Sequence, residues 1–347
     1  MRQKLHASLL LCVLICIPII FSACVSSTTE AVVTPPTDTP IPATITPTRL
    51  PPTPETEKKV IGAILFLNDN FFETVALGME DVAKEAGVDI QFHFHEDDVL
   101  LETQWIYEFV QQGVDAILIS PRVVDLDGSI AAIHEAYKAG IPVVCYNGCF
   151  TDEVTAENVA GIFETDQYSI GYRVGEYLVS WLEARGLEEP HIGILSCCEK
   201  RDAGFRQALL DHNLTWYEDA NYEEYRADES MVAAENMLQR NPQITILWAQ
   251  NEGATIGAVS GVRAENLAGQ VFVFGVDMSP QIAQMLLADD DILQAVAAQS
   301  PYEIGKLTAE AALVAMETGK KAGYHNVDTS FFSRDDLTAV KAYLADQ

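Results

Sequence analysis

Residues 60–94 read VIGAILFLNDNFFETVALGMEDVAKEAGVDIQFHF, and their pattern decides the fold. Residues 60–67 are a mostly apolar run, which suits a strand covered on both faces. Residues 71–86 place Val75, Met79, Val82, Ala83 and Ala86 at helical spacing and stop at Gly87, a C-cap residue. Residues 89–94 read as the next strand. A strand, a helix and a second strand joined by short connections predict a right-handed crossover between parallel strands.

The same unit recurs along the chain. Helix 101–112 ends at Gly113, strand 116–120 closes at Pro121, helix 129–139 ends at Gly140, and strand 142–146 follows. Helices are then predicted over 170–184, 202–212, 229–240, 254–265, 280–287 and 302–317. Strands are predicted over 191–195, 215–217, 244–248, 271–276 and 292–297. These are too many strand–helix units for one compact core. The expected fold class is therefore α/β, with two doubly wound parallel-sheet lobes.

In open parallel sheets a ligand binds beyond the carboxyl ends of the strands. Those positions hold Asn68, Asp69, Asn70, Phe71 and Phe72 after the first strand and Tyr146, Asn147 and Gly148 after the fourth. In the second half they hold Cys197, Cys198, Glu199 and Arg201, then Gln250, Asn251 and Glu252, then Asp277, then Gln299. Amides, carboxylates and rings dominate. Planar acceptors and donors pair with hydroxyl groups, and rings stack on the C–H face of a sugar.

The chain has 347 residues, 48% of them hydrophobic, which is enough apolar material for a folded core. Its 21 Lys and Arg face 51 Asp and Glu, a net charge of −30. Nucleic acid is excluded as the main partner, because binding it requires clustered cations. Electrostatic adhesion to anionic lipid is excluded for the same reason. A small solute or another protein remains.

Six segments, in order, carry a resemblance: NDNFFETVALGMEDVAKEAG (68–87), GVDAILISP (113–121), AGIPVV (139–144), LWAQNEGATIGAV (247–259), FGVDMSP (274–280) and AQSPYEIG (298–305). The chain from about residue 59 to 334 resembles the type I periplasmic binding proteins of bacterial sugar uptake, the ribose-, galactose- and autoinducer-binding group. The resemblance implies two lobes joined by a three-stranded hinge, closing on the ligand like a trap. It implies an N-terminal lobe of residues 59–165 plus 300–327 and a C-terminal lobe of 166–299 plus 328–347. It places Asp69, Phe71, Phe72 and Asn147 on the first lobe's side of the ligand. On the other side it places Arg201, Tyr225 as a stacking aromatic, Asn251 and Asp277, with Gln299 at a hinge strand. Two departures matter. Asn147-Gly148 stands where pentose binders often carry Asp-Arg, and Glu199 stands where a second ligand arginine is common. Cationic donors are lost and acceptors gained. Ribose is therefore not transferred as the ligand, and a polyol, an amino sugar or another neutral-to-cationic polar solute fits the charge better.

The N-terminus reads as an address. Arg2 and Lys4 precede an apolar run over residues 7–20 and then Phe21-Ser22-Ala23-Cys24. This is the plan of a secretory signal, with cleavage expected after residue 23. The Ser-Ala-Cys ending resembles the lipobox of bacterial lipoproteins, although Phe21 stands where Leu, Val or Ile is usual. Cys24 is then the lipidated N-terminus; a plain signal peptide would leave it as a spare thiol. Residues 24–58 hold eight of the fifteen prolines and much Thr, and are expected to form an extended tether.

Four cysteines remain in the body, Cys145 with Cys149 and Cys197 with Cys198. Export permits disulfides, so either pair is a candidate bridge at the cleft rim; ordinary buried thiols are the alternative. His93 and His95 share a strand face, but no third ligand has the spacing of a metal site, and they are expected at a solvated strand end. Asp277 is expected to cap the following helix as well as to touch ligand. No G-x-S-x-G, H-E-x-x-H, Walker loop or G-x-G-x-x-G is present. A carboxylate-pair hydrolase built on Glu199, Glu252 and Asp277 has no spacing to support it.

The expected function is an extracytoplasmic solute-binding lipoprotein and not an enzyme, with no cofactor and no metal. It is expected as a monomer that captures a sugar or polyol, docks on an ABC permease, and meets the outer face of the cytoplasmic membrane through its lipid alone. The alternative is a sensory binding protein of the same fold, presenting its closed form to a histidine kinase or chemoreceptor.

Overall fold

The computed structural model describes residues 58–122, 127–150, 158–223 and 226–345. The leader, the Pro/Thr stretch with Cys24, and Tyr225 lie outside the described residues. The first sheet is built from β1 (Val60–Leu65), β2 (Asp89–Phe94), β3 (Ala116–Ile119), β4 (Val143–Tyr146), β5 (Gly161–Glu164) and, from far along the chain, β11 (Gly323–Asn326). Its order is β11-β5-β4-β3-β1-β2, and every pair is parallel. The second sheet takes β6 (His191–Ser196), β7 (Tyr217–Glu223), β8 (Ile246–Ala249), β9 (Phe272–Val276), β10 (Leu293–Ala298) and β12 (Ser330–Ser333). Its order is β12-β10-β9-β8-β6-β7, parallel except for β12.

Central strands β3, β4, β8 and β10 are buried at every position, as strands covered by helices on both faces must be. The covering helices beside the first sheet are α1 (Asn70–Ala86), α2 (Val99–Gln112), α3 (Asp127–Lys138) and α9 (Pro301–Thr318). The second sheet has α4 (Gln167–Arg185), α5 (Glu199–Asp211), α6 (Ala227–Arg240), α7 (Glu252–Ala264), α8 (Pro280–Leu287) and the final α10 (Leu337–Ala345). Gly87, Gly113 and Gly186 end α1, α2 and α4 in the left-handed region, where a Cβ would be strained.

The chain passes between the sheets three times: between β5 and α4, between β10 and α9, and between β11 and β12. Two of these crossings are tied together, since Ser300 Oγ donates to the Asp328 carbonyl at 2.9 Å. Arg173 of α4 donates to Thr329 Oγ1 at 2.6 Å.

Helix pairs approach closely where glycine removes a side chain. A Cβ on Gly171 of α4 would sit 1.9 Å from the Arg201 carbonyl oxygen of α5, and one on Gly204 of α5 would sit 2.0 Å from the Tyr168 carbonyl oxygen. Gly78 and Gly305 do the same for α1 and α9. Backbone cannot yield as a flexible side chain does, so Gly171→Ala is expected to cost about 1–3 kcal/mol. Denaturant melts would read that loss. Because the displaced atom belongs to Arg201, solute affinity should fall with stability; an unchanged melt would contradict this packing.

Three short strands, β5, β11 and β12, and helix α10 were not expected from the sequence. The strand expected at 215–217 lies at Tyr217–Glu223, where YEDANYE pairs with β6 at the sheet edge without an apolar pattern to announce it.

Candidate functional site

The strand ends of both sheets border one cavity of about 550 Å³. Its volume lies in the range of small-molecule sites. Nine of the ten residues predicted for the site line it: Asp69, Phe71, Phe72 and Asn147 from the first lobe, Glu199, Arg201, Asn251 and Asp277 from the second, and Gln299 at a crossing.

Each is placed by the local chemistry of its strand end. Asp69 caps α1, its Oδ1 accepting from the Phe72 N–H at 2.9 Å. The next turn of that helix turns Phe71 and Phe72 inward as an edge-to-face pair, 5.0 Å between centroids. Phe66 stacks on Phe72 at 5.9 Å. These rings belong both to the first lobe's core and to the cavity wall. Asn147 takes φ +54° after β4, a left-handed conformation that Asn tolerates, and its Oδ1 is buried with no partner in the protein. Cys145 and Cys149 are joined by a disulfide that closes this turn.

On the second lobe Asn251 caps α7 through a 2.9 Å bond from the Ala254 N–H. Asp277 does not cap α8; Ser279 does, accepting from Ile282 N–H. Asp277, 4% exposed and at φ +73°, instead accepts the Glu252 N–H at 3.0 Å on one oxygen and Gln299 Nε2 at 3.0 Å on the other. It thus ties together the ends of β8, β9 and β10. Arg201 is 5% exposed and largely engaged. Its Nε donates to Gln167 Oε1 at 2.6 Å and its Nη1 donates to the Gln250 carbonyl.

Cys197 and Cys198 are separate thiols, so the vicinal bridge is not formed. Their backbone N–H groups both donate to Gln250 Oε1 at 3.0 Å, and the Cys197 thiol faces the Gln250 carbonyl at 3.5 Å. That loop is held by Gln250 and has no use for a disulfide. Burial pushes the Cys197 thiol up to about 12. It is an inert wall group.

Glu252, at a strand end but not among the ten predicted ligand contacts, lines the cavity beside Asn251. Burial, with Asp277 nearby, raises its carboxyl to about 7. Its Oε2 accepts from Asn70 Nδ2 at 3.3 Å, a contact between the lobes. Burial likewise raises Asp69 to about 6, opposed by the Phe72 N–H and reinforced by Asp277. Burial raises Asp277 too, against the pull of Arg201. A second interlobe contact is an ion pair, Arg226 to Glu96 at 2.5 Å. Gln167 and the Ser120-Pro121-Arg122 turn were also missed; they follow a crossing and β3, and carry no motif.

His93 and His95 do not form a solvated strand end. His93 lies flat on Trp105, 4.1 Å between ring centroids. His95 is wholly buried, 3.1 Å from the Ser120 carbonyl and 3.6 Å from Glu102. Trp105 and Glu102 belong to α2, which covers this end of β2. Among the described residues no group of three His, Cys, Asp or Glu is arranged to hold a metal. None of the helices there is long and apolar enough to cross a membrane.

Two hinged α/β lobes that share a polar, ring-lined cavity at their strand ends define a protein that encloses a small solute. The chain belongs to the periplasmic binding protein family, whose domain matches residues 63–321. It is 30% identical over 256 residues to the ABC transporter periplasmic-binding protein YphF of Escherichia coli K12, covering 72% of this chain and 77% of that one. It is 28% identical over 257 residues to the ribose import binding protein RbsB of Bacillus subtilis strain 168, covering 71% and 77%. In fold it is similar to an ABC transporter solute binding protein from Bacillus halodurans with bound myo-inositol. That likeness has a TM-score of 0.74 at 19% identity, over 85% of this chain and 100% of the other.

Proposed function

We propose that the protein captures a small hydroxyl-rich solute, a sugar or polyol, between its lobes and delivers it unchanged to an ABC importer. The observation that carries this reading is the composition of the cavity. Rings of Phe66, Phe71 and Phe72 offer a stacking wall, and Asp69, Asn147, Asn251, Asp277 and Gln299 surround it with hydrogen-bonding groups. The family is one of binding proteins, and catalysis has no part in the reading. The relatives' names favour import over sensing, since they are described as transporter and import binding proteins.

The lobes are residues 59–165 with 300–327 and residues 166–299 with 328–347, and the ten predicted residues, Tyr225 included, contact the solute. The monomeric protein is exported and moored by a lipid on Cys24, with the Pro/Thr segment as its tether. Cys24→Ala should then release it from the membrane and abolish incorporation of labelled fatty acid. The reading itself is tested by thermal-shift titration against sugars and polyols. A true ligand at 100 times its Kd stabilises by about 2.7 kcal/mol. Absence of a shift with every compound, or turnover of the bound one, would defeat it.

A further inference from the structure

The free hydrogen-bonding capacity of the cavity is weighted to one sign. Gln299 is 7% exposed, and its amide orientation is fixed because Nε2 donates to Asp277. Its Oε1 is left buried without a partner. The carboxylates of Asp69, Glu252 and Asp277 border the same space and are near enough that Asp277 raises both of the others. Several of the donors are committed elsewhere. Arg201 spends Nε on Gln167 and Nη1 on the Gln250 carbonyl, Asn70 Nδ2 goes to Glu252, and Arg122 Nε goes to Asp97 at 2.7 Å. Of the other lining charges, Lys200 and Glu199 are exposed at the mouth, while Glu164 adds a further acid.

We propose that the solute carries a protonated amine, as an amino sugar or aminopolyol does, and that its ammonium lies among Asp69, Glu252 and Asp277 within reach of Gln299 Oε1. An ammonium brings three donors and no acceptor, the complement of this set. Closing the lobes over three carboxylates against the single positive charge of Arg201 is costly when the guest is neutral and favourable when it supplies further positive charge. A neutral sugar, whose hydroxyls also need donors, leaves that charge unbalanced. This inference rests on the cleft being the solute site.

Calorimetry of the purified full-length chain at pH 7.5 would compare hexosamines and aminopolyols with their hydroxyl parents and N-acetylated forms. At least one free amine should bind about 10- to 100-fold tighter than both of its neutral counterparts, the worth of a charge-assisted hydrogen bond. Asp69→Asn keeps a good helix cap and so should fold; in it the preference for the amine should shrink by about tenfold or more. Neutral sugars or polyols binding as tightly as their amines would overturn the inference and leave solute capture standing. Failure of every compound, neutral or cationic, would overturn both. Retention of the full preference in Asp69→Asn would overturn the placement of the amine.

Discussion

Asp277→Ala should abolish solute binding and destabilise the protein by about 3 kcal/mol or more. The substitution leaves two buried donors, the Glu252 N–H and Gln299 Nε2, without an acceptor, and takes a counter-charge from the buried Arg201. Each orphaned donor costs about 1–3 kcal/mol. Alanine must also hold φ +73°, which Asp tolerates and a residue with an inert Cβ resists at about 1–2 kcal/mol. One term opposes these: removing Asp277 relieves its repulsion of Glu252 and Asp69. That relief is smaller, because Asp277 is itself held by two N–H donors and Arg201. Asp277→Asn, which keeps the left-handed preference and one acceptor oxygen, should lose about half as much. Urea unfolding and calorimetry would separate the two effects. A loss under 1 kcal/mol in Asp277→Ala, or an unchanged Kd, would show that this side chain does not knit the strand ends together.

The sequence carries the long-range plan of this fold in its buried strands and misses the parts held by backbone pairing alone. Strand β1 and helix α8 were legible because burial on both faces, or a proline in the first helical turn, writes itself into residue type: α8 begins at Pro280 and ends at Leu287, as the sequence predicts, although its cap is Ser279 and not Asp277. Strand β11, GYHN, is exposed at all four positions and owes its existence to β5 beside it. No apolar pattern marks such a strand. β7 is likewise an edge, polar in six of its seven positions if its tyrosines are counted as polar, and its register is set by β6.

At the site, position after a strand was the useful signal. It gathered nine residues from six segments into one cavity without any knowledge of distance. What it did not convey was which side chains face inward and which brace the loop. Gln250 and Glu252 stand on either side of Asn251 in sequence. Gln250 turns away to hold the Cys197-Cys198 backbone, whereas Glu252 faces the cavity. The same blindness misjudged His95, whose polarity suggested solvent although helix α2 buries it against Glu102. The two cysteine pairs differ in spacing: Cys145 and Cys149 have their Cα atoms facing across a turn, 5.4 Å apart, whereas Cys197 and Cys198 are adjacent and stay separate thiols.

Glu252 should make the ligand-free protein's closure depend on pH, in the direction opposite to an ordinary salt-bridged carboxylate. With the lobes together its carboxyl is raised from 4.5 to about 7, by burial first and by Asp277 second. With the lobes apart its carboxyl regains water and falls back toward its ordinary value, with only the repulsion of Asp277 on its own lobe remaining. A raised value in the closed form means that the closed form binds the proton more tightly. Its advantage is therefore fully present below about pH 4.5 and is lost as pH rises through about 7. Between pH 5 and pH 8 the closed state should lose about 1–2 kcal/mol relative to the open one, since the part of the shift due to Asp277 is common to both. Asp69, raised to about 6, acts in the same sense over a slightly lower range. Glu252→Gln keeps an acceptor for Asn70 while removing the titration, and should leave only the smaller slope due to Asp69. Scattering or interlobe fluorescence transfer on ligand-free protein would follow the closed fraction. A closed fraction equal at pH 5 and pH 8, or a slope that survives intact in Glu252→Gln, would mean that this carboxyl keeps its water when the lobes meet.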